Sequence, residues 1–271
     1  MKVLPNFLVG RPETAEFDFS GIVVDGNGTG WRNGDAVFGV VPPGLCRKSR
    51  EGALSEYTVV PSSHISSRPA NTTPVQAAGI AAVGLTAYQC LFDVAGLEEV
   101  CQGRWVKVMA SASERNRTYV MELGADEITE LLTSPWSSHA TRPKFNVILD
   151  AVGLADDSLY AKSETYLAPG GVFISVGPQP TGWVDVPKLM KLMFHLIQPD
   201  WLGGIKRRWI WVSGQPRKDT IDAVQKFVAD GKVKPVIDSV YAFEDVFQAY
   251  DRIMSERATG KVVVKVDPDV E

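Results

Sequence analysis

No glycine lies between Gly103 and Gly124, although this stretch otherwise reads as a strand, Val106 to Ala110, followed by a helix, Glu114 to Leu123. A doubly wound nucleotide-binding unit needs a strand, a tight glycine turn, a helix whose free N-terminal amides hold the pyrophosphate, and then a second strand. Only one strand is present where two are required, so the usual pyrophosphate turn is excluded from its usual place. Cysteine is scarce too. Cys46, Cys90 and Cys101 form no Cys-x-x-Cys pair, which excludes a disulfide framework and a four-thiolate zinc lobe and suits a reducing compartment. The three histidines, His64, His139 and His195, lack the i, i+4 pairing with Glu of a helical metal site. His64 and Cys46 either meet in space or are unrelated surface residues. Positive charge is in short supply: the net charge of −4 argues against nucleic acid, whose phosphates demand a basic face. Long apolar runs are missing as well. Gly79 to Gly96 is interrupted by Thr86, Gln89 and Asp93, which indicates a buried helix rather than a membrane span. Met1 to Pro5 is broken by Pro5, Asn6 and Arg11 before a signal-like core develops. These absences together indicate a soluble, cytoplasmic protein.

What is present is ordinary globular material, 271 residues with 45% hydrophobic and 22% charged, enough for one large or two modest domains. The first third is β-rich. Phe17 to Val24 and Asp35 to Val41 flank a Gly- and Asn-rich turn, and Gly52 to Val60 supplies a third extended run. Thr73 and Pro74 mark a helix start leading into Val75 to Ala81, and Gly84 opens a second helix. From Trp105 onward strands and helices alternate, as in a parallel sheet with crossover helices. Phe145 to Asp150 and Val172 to Val176 are strands, Leu159 to Leu167 is a helix, and Ala168-Pro-Gly-Gly171 is a turn. The tail reads as a strand from Ile237 to Phe243, an amphipathic helix from Glu244 to Met254 and a strand from Lys261 to Val266. Ligands of an open α/β sheet bind at the carboxyl ends of its strands, which singles out Asp150 to Gly153 and Ser175 to Pro178.

A series of short motifs occurs in order: Glu16-Phe-Asp-Phe-Ser-Gly21, Gly34-Asp-Ala-Val-Phe-Gly39, Gly52-Ala-Leu-Ser-Glu-Tyr57, Gly84-Leu-Thr-Ala-Tyr88, Leu123-Gly-Ala-Asp126, Asp150-Ala-Val-Gly153, Leu167-Ala-Pro-Gly-Gly171 and Ala258-Thr-Gly-Lys-Val-Val263. The set resembles the medium-chain dehydrogenase/reductase superfamily, in its zinc-independent quinone oxidoreductase and reticulon-interacting-protein branch of fungal type, over essentially the whole chain. The resemblance implies an α/β fold: an incomplete GroES-like β-barrel domain, residues 1–85 and 237–271, plus a shortened Rossmann-like parallel-sheet domain, residues 86–236. It places the barrel's opening strands ahead of Leu4. It also places a strand, a glycine turn and a helix between the equivalents of Val106 and Met109, where this chain has none.

Residue by residue, the resemblance puts the adenosine ribose and its 2′-phosphate near Ser111, Ser113 and Asn116, with Arg115 and Arg117 as neighbouring cations, and so implies NADPH, with binding weakened or lost for want of the turn. Ser113 with Asn116 reads equally as a helix cap. Ala151, Val152, Gly153, Ser175, Val176 and Gly177 resemble the nicotinamide-side loops, or are plain strand-end turns. Thr86 and Lys261 resemble cofactor-contacting positions, against a helix cap and an exposed strand residue respectively. No zinc is implied and no catalytic acid or base stands out. Tyr57 and Tyr88 are proton-donor candidates or structural tyrosines, and Lys206-Arg-Arg208 among Trp201, Trp209 and Trp211 is a substrate clamp, a solvated loop or a dimer contact. The implied activity is NADPH-dependent reduction of an activated C=C or quinone on a small hydrophobic substrate, by a homodimer with no nucleic-acid or membrane partner. Two rivals stand beside it: a cofactor-independent isomerase, cyclase or lyase of fungal secondary metabolism, and a non-catalytic remnant.

Overall fold

The computed structural model describes residues 14–42, 51–97, 106–128, 144–180 and 182–269. Met1 to Pro5, Cys46, Cys101 and His139 lie outside them. The described residues form two compact units, one built from those between 14 and 89 together with those from Gly214 onward, the other from those within Cys90–Ser213.

In the first unit, β1 (Asp18–Ile22) and β2 (Ala36–Val40) form the expected hairpin, pairing antiparallel with Asp18 opposite Val40 and Ile22 opposite Ala36. The loop is closed by Asn27 and Gly28, both at positive φ. The third strand is not Gly52 to Val60 but β3 (Ile65–Ser67), paired with β2. Residues 52–60 have the right residue types but no ladder partner: Ala53 and Leu54 donate to the carbonyls of Glu16 and Ala15, and Tyr57 and Val59 stay 71% and 76% exposed. A strand requires a neighbour as well as a pattern. Helix α1 (Pro74–Ala78) starts on the predicted cap, where Thr73 Oγ1 accepts from the Gln76 amide and the Gln76 side chain accepts from the Thr73 amide. Helix α2 (Ala81–Tyr88) starts three residues before Gly84.

Gly84 serves packing rather than initiation: a Cβ there would stand 2.7 Å from Val224 Cγ1, so its absence lets α2 close on a later helix, α6 (Lys218–Ala229). Ile221, Val224 and Val228 of α6 are buried in one core with Phe38, Val40, Ala77 and Leu85. For that reason residues 214–236 cluster with the first unit, ahead of the boundary at 236/237 that the resemblance implies. The tail strands β9 (Ile237–Ala242) and β10 (Lys261–Lys265) pair in parallel, with α7 (Val246–Met254) as the crossover.

The second unit holds β4 (Met109–Ala110), α3 (Arg117–Glu122), β5 (Glu127–Ile128), β6 (Phe145–Asp150), α4 (Ser163–Tyr166), β7 (Leu167–Ser175), α5 (Val186–Ile197) and β8 (Arg208–Trp211). Among the described residues its pairings are all parallel, but they make two sheets: β4 with β5, and β6-β7-β8. A doubly wound sheet has strand order 3-2-1-4-5-6. With β4 and β5 in the places of the second and third strands, and β6, β7 and β8 in those of the fourth to sixth, the described strands fit that order without its first strand. Ala168-Pro-Gly-Gly171, expected as a turn before β7, lies inside β7 as a bulge, with a register shift between Phe145 and Val147 and Gly170 at φ 78°. The helix expected from Leu159 to Leu167 shrinks to α4, because Asp157 to Lys162 is spent on separate turns such as Ala161 N–H to the Asp157 carbonyl.

Candidate functional site

Strands β6, β7 and β8 end side by side, and hydrogen bonds bind their C-terminal loops into one body. Asp150, the last residue of β6, is 7% exposed. Its Oδ1 accepts from the amides of Gly153 at 2.9 Å and Val152 at 3.2 Å, and its Oδ2 accepts from the Leu154 amide at 2.9 Å and the Ser175 hydroxyl at 3.0 Å. Ser175 Oγ in turn accepts from the Gly177 amide at 3.1 Å. Gln179 N–H closes the ring onto the Gly153 carbonyl at 2.8 Å. The indole of Trp211 donates to the Val176 carbonyl at 3.3 Å. One buried carboxylate therefore organises both glycine loops, a role that the sequence leaves open for Asp150.

The geometry also defines what the two glycines are for. Gly153 has φ 75°, and a Cβ there would stand 2.2 Å from the Gly177 carbonyl oxygen. Gly177 has φ 92°, and its Cβ would stand 2.3 Å from Trp211 Nε1. Both positions need glycine for the loops to pack on one another, before any ligand is considered. Ala151 and Val152 project outward, Val152 being 76% exposed, so the loop offers its tip rather than its glycines to solvent.

The second predicted group lies just past β4. Ser111 and Ser113 are exposed and Asn116 is half-buried. Ser113 precedes a 3-10 turn, Glu114–Asn116, but its hydroxyl caps no amide. Arg117 Nε donates to both carboxylate oxygens of Glu114, at 2.8 and 3.0 Å, so its charge is compensated locally; Arg115 is exposed. This corner offers two hydroxyls and a guanidinium, donors suited to a phosphate. Helix α3 behind it has six residues and no glycine at its start, so it does not replace the pyrophosphate turn.

Thr86 and Lys261 belong to the first unit. Thr86 does not open a helix; it sits in the last turn of α2, its hydroxyl donating back to the Ala82 carbonyl at 2.8 Å and packing against Gly214, whose Cβ would meet it at 2.3 Å. Lys261 Nζ is 3.0 Å from Asp18 Oδ2, while Asp18 Oδ1 accepts from the Ala82 amide at the start of α2, so this lysine ties β10 to β1 and α2. Of the other candidates, Tyr88 packs on the first core against Phe227, and Trp209 packs on the core of the second unit while Trp201 and Trp211 are exposed. Arg207 donates to the carbonyls of Leu167 and Lys206. The basic triplet and the tryptophans thus form no single clamp. His64 is half-buried, and burial pulls its imidazole below the usual histidine range.

Among the described residues no group of three or more His, Cys, Asp or Glu is placed to hold a metal, and no helix is long and apolar enough to cross a membrane. The family model of zinc-binding dehydrogenases matches residues 123–264. The chain is 27% identical to the trans-enoyl reductase pgmF of Aspergillus terreus over 293 positions, covering 97% of this chain and 80% of the relative. Since 97% of 271 residues is about 263, the match leaves about 30 positions at which pgmF has residues and this chain has none. It is likewise 27% identical to the mitochondrial NAD(P)H oxidoreductase RTN4IP1 of Mus musculus, over 94% of this chain and 71% of the relative. In fold it is similar to the quinone oxidoreductase of Coxiella burnetii, with a TM-score of 0.68 at 21% identity, over 93% of this chain and 80% of that one.

Proposed function

We propose, from the premise that the chain belongs to the zinc-binding dehydrogenase family within the medium-chain dehydrogenase/reductase superfamily, that it reduces an activated C=C bond or a quinone with NADPH. The relatives named above are oxidoreductases, among them a trans-enoyl reductase. The observation that carries the reading is the Asp150-centred joining of the two loops at the carboxyl ends of β6 and β7, where an open α/β sheet holds its ligand. Bound NADPH would supply the hydride. The chain's own part is positional: Asp150 and Ser175 fix the loop main chain, the exposed turn at Ala151 and Val152 supplies main-chain groups beside a nicotinamide, and Ser111, Ser113 and Arg115 supply donors for a 2′-phosphate.

A second reading is supported by the interrupted sheet. Loss of the turn removes several charge-assisted bonds to the pyrophosphate, each worth about 1.5–3 kcal/mol, so two or three losses weaken cofactor binding by orders of magnitude. An enzyme that kept the cleft and abandoned the dinucleotide would catalyse a redox-neutral isomerisation, cyclisation or elimination. Titration of the purified chain with NADPH, read by nicotinamide fluorescence and thermal stabilisation, separates the two. Saturable micromolar binding, followed by NADPH consumption with an α,β-unsaturated thioester or a quinone, is the expected result. Absence of binding at millimolar NADPH in a folded protein overturns the reductase reading and leaves the redox-neutral and the non-catalytic ones.

A further inference from the structure

Strand β1 is the edge of its sheet: β2 pairs with it on one side and, among the described residues, no strand pairs with it on the other. Val41 donates to the Phe17 carbonyl and Val23 donates to the Asp35 carbonyl, so Phe17 and Val23 bond toward β2. The alternation of an antiparallel ladder then turns the amides and carbonyls of Ser20 and Ile22 away from β2. Strand β10 is likewise paired on one side alone among the described residues, with β9. Both strands line a single cleft of about 1320 Å³ in the first unit, whose third wall is residues 53–62. The walls are rich in apolar side chains open to solvent, among them Ile22, Val24, Tyr57 and Val59. Thr58 Oγ1, in the same wall, is buried with no hydrogen-bond partner among the described residues.

Charge gives the cleft a sign. Lys261 is set against Asp18 at 3.0 Å, which leaves four carboxylates in the walls, Glu16, Asp25, Glu56 and Asp267, against one cation, Lys265. Glu16 is held there at φ 66°, a left-handed backbone rare outside Gly, Asn and Asp, and its Oε1 accepts from the Tyr250 hydroxyl at 2.6 Å. A strand edge left open beside apolar side chains is a template for a further strand. We propose that this cleft binds an extended, basic segment of a partner protein, which adds a strand to the free edge of β1 and sets Lys or Arg beside the carboxylates. Main-chain pairing with Ser20 and Ile22 supplies affinity, and the excess of carboxylates supplies the preference for a basic sequence. A second copy of this chain is the poorer occupant, because it would bring the same excess of negative charge against its own image. A small amphiphilic amine would answer the charge and the apolar walls but would leave the amides and carbonyls of Ser20 and Ile22 to water.

Fluorescence anisotropy of a labelled heptapeptide of alternating valine and lysine, titrated with the full chain, tests the proposal. Two control peptides carry glutamate in place of lysine, or N-methyl groups on the amides that would face β1. Saturable micromolar binding of the lysine peptide is expected, weakened about tenfold or more by either change. The double variant Glu56→Lys/Asp267→Lys is expected to reverse the preference, so that the glutamate peptide binds about tenfold more tightly than the lysine one. Should that variant misfold, Ile22→Pro removes an outward amide at a sheet edge and is expected to weaken the lysine peptide to a similar degree. A glutamate peptide that binds as well as the lysine one overturns the proposal. So does an N-methylated one, which would assign the cleft to apolar cations that need no strand pairing. Binding unchanged in the folded variants places the peptide elsewhere and overturns it too. A full chain that takes no peptide also overturns it, whether its own residues 1–13 or a second copy fill the cleft. None of these outcomes depends on NADPH binding.

Discussion

At the scale of the residue, Asp150 is the most consequential single group in the candidate site. A carboxylate that accepts three loop amides and one buried hydroxyl holds the glycine loops by electrostatics as much as by shape. Asp150→Asn keeps the volume but replaces one acceptor oxygen by a donor facing amide hydrogens. It is expected to cost about 2–3 kcal/mol in urea unfolding and to weaken any NADPH binding by more than the stability loss explains. Gly177→Ala is expected to be harmful without changing charge, because it adds a Cβ against Trp211 at a positive φ. A loss of about 1–3 kcal/mol in the same unfolding experiment is anticipated, whereas Gly170→Ala, also at positive φ but facing open space, should lose only the backbone part. Equal losses at the two glycines would refute the packing account of Gly177.

At the scale of the element, the tail is tied by one ion pair between β9 and α7. Asp238 accepts from Arg252 Nε at 2.7 Å and Nη2 at 2.6 Å, and from the Thr259 amide at 3.0 Å. The Arg252 guanidinium first, and the Thr259 amide next, hold the Asp238 carboxyl far below the usual carboxylate range. A carboxyl depressed on folding stabilises the folded state at every pH above its unfolded pKa, about 3.9, and that contribution fades as pH falls through the folded value. The stability gap between wild type and Asp238→Asn is therefore expected to stay flat from neutral pH down to about pH 5 and to shrink only in stronger acid. A gap that closed near neutral pH would contradict the assignment. The same scale shows how far periodicity carries. The strands Phe145 to Asp150 and Ile237 to Phe243 and the cap at Thr73 were legible because each rests on a local pattern. Gly52 to Val60 was misread because alternation cannot tell a strand from an extended segment that lacks a partner. Helices α5 and α6 went unread, although each carries its apolar residues at helical spacing.

At the scale of the molecule, the division of the described parallel strands into two sheets bears on the proposed cofactor chemistry. About 30 positions of pgmF have no counterpart here, and the described parallel strands of the second unit fall into two sheets, β4-β5 and β6-β7-β8. Grafting a strand, glycine turn and helix from a relative ahead of Met109 is expected to join the two sheets into one. The graft should raise the unfolding midpoint by several degrees and tighten NADPH binding at least tenfold. A graft that folds and leaves NADPH affinity unchanged would show that the pyrophosphate turn is dispensable in this chain.

The sequence by itself determined the α/β class with its alternating strands and helices, the family and the absence of a glycine turn, because each of these is written in contiguous residues or in short motifs in series. Tertiary structure decided what the candidate residues do. It spent the freedom of Gly153 and Gly177 on packing, engaged Lys261 with Asp18 and Arg117 with Glu114, and moved Thr86 from a helix start to a last turn. It also drew 214–236 into the first unit through Ile221, Val224 and Val228. Each of these outcomes rests on groups that meet only after folding, many of them far apart along the chain, and a local pattern fixes which side chains are available but not which of them a fold brings within 3 Å of one another.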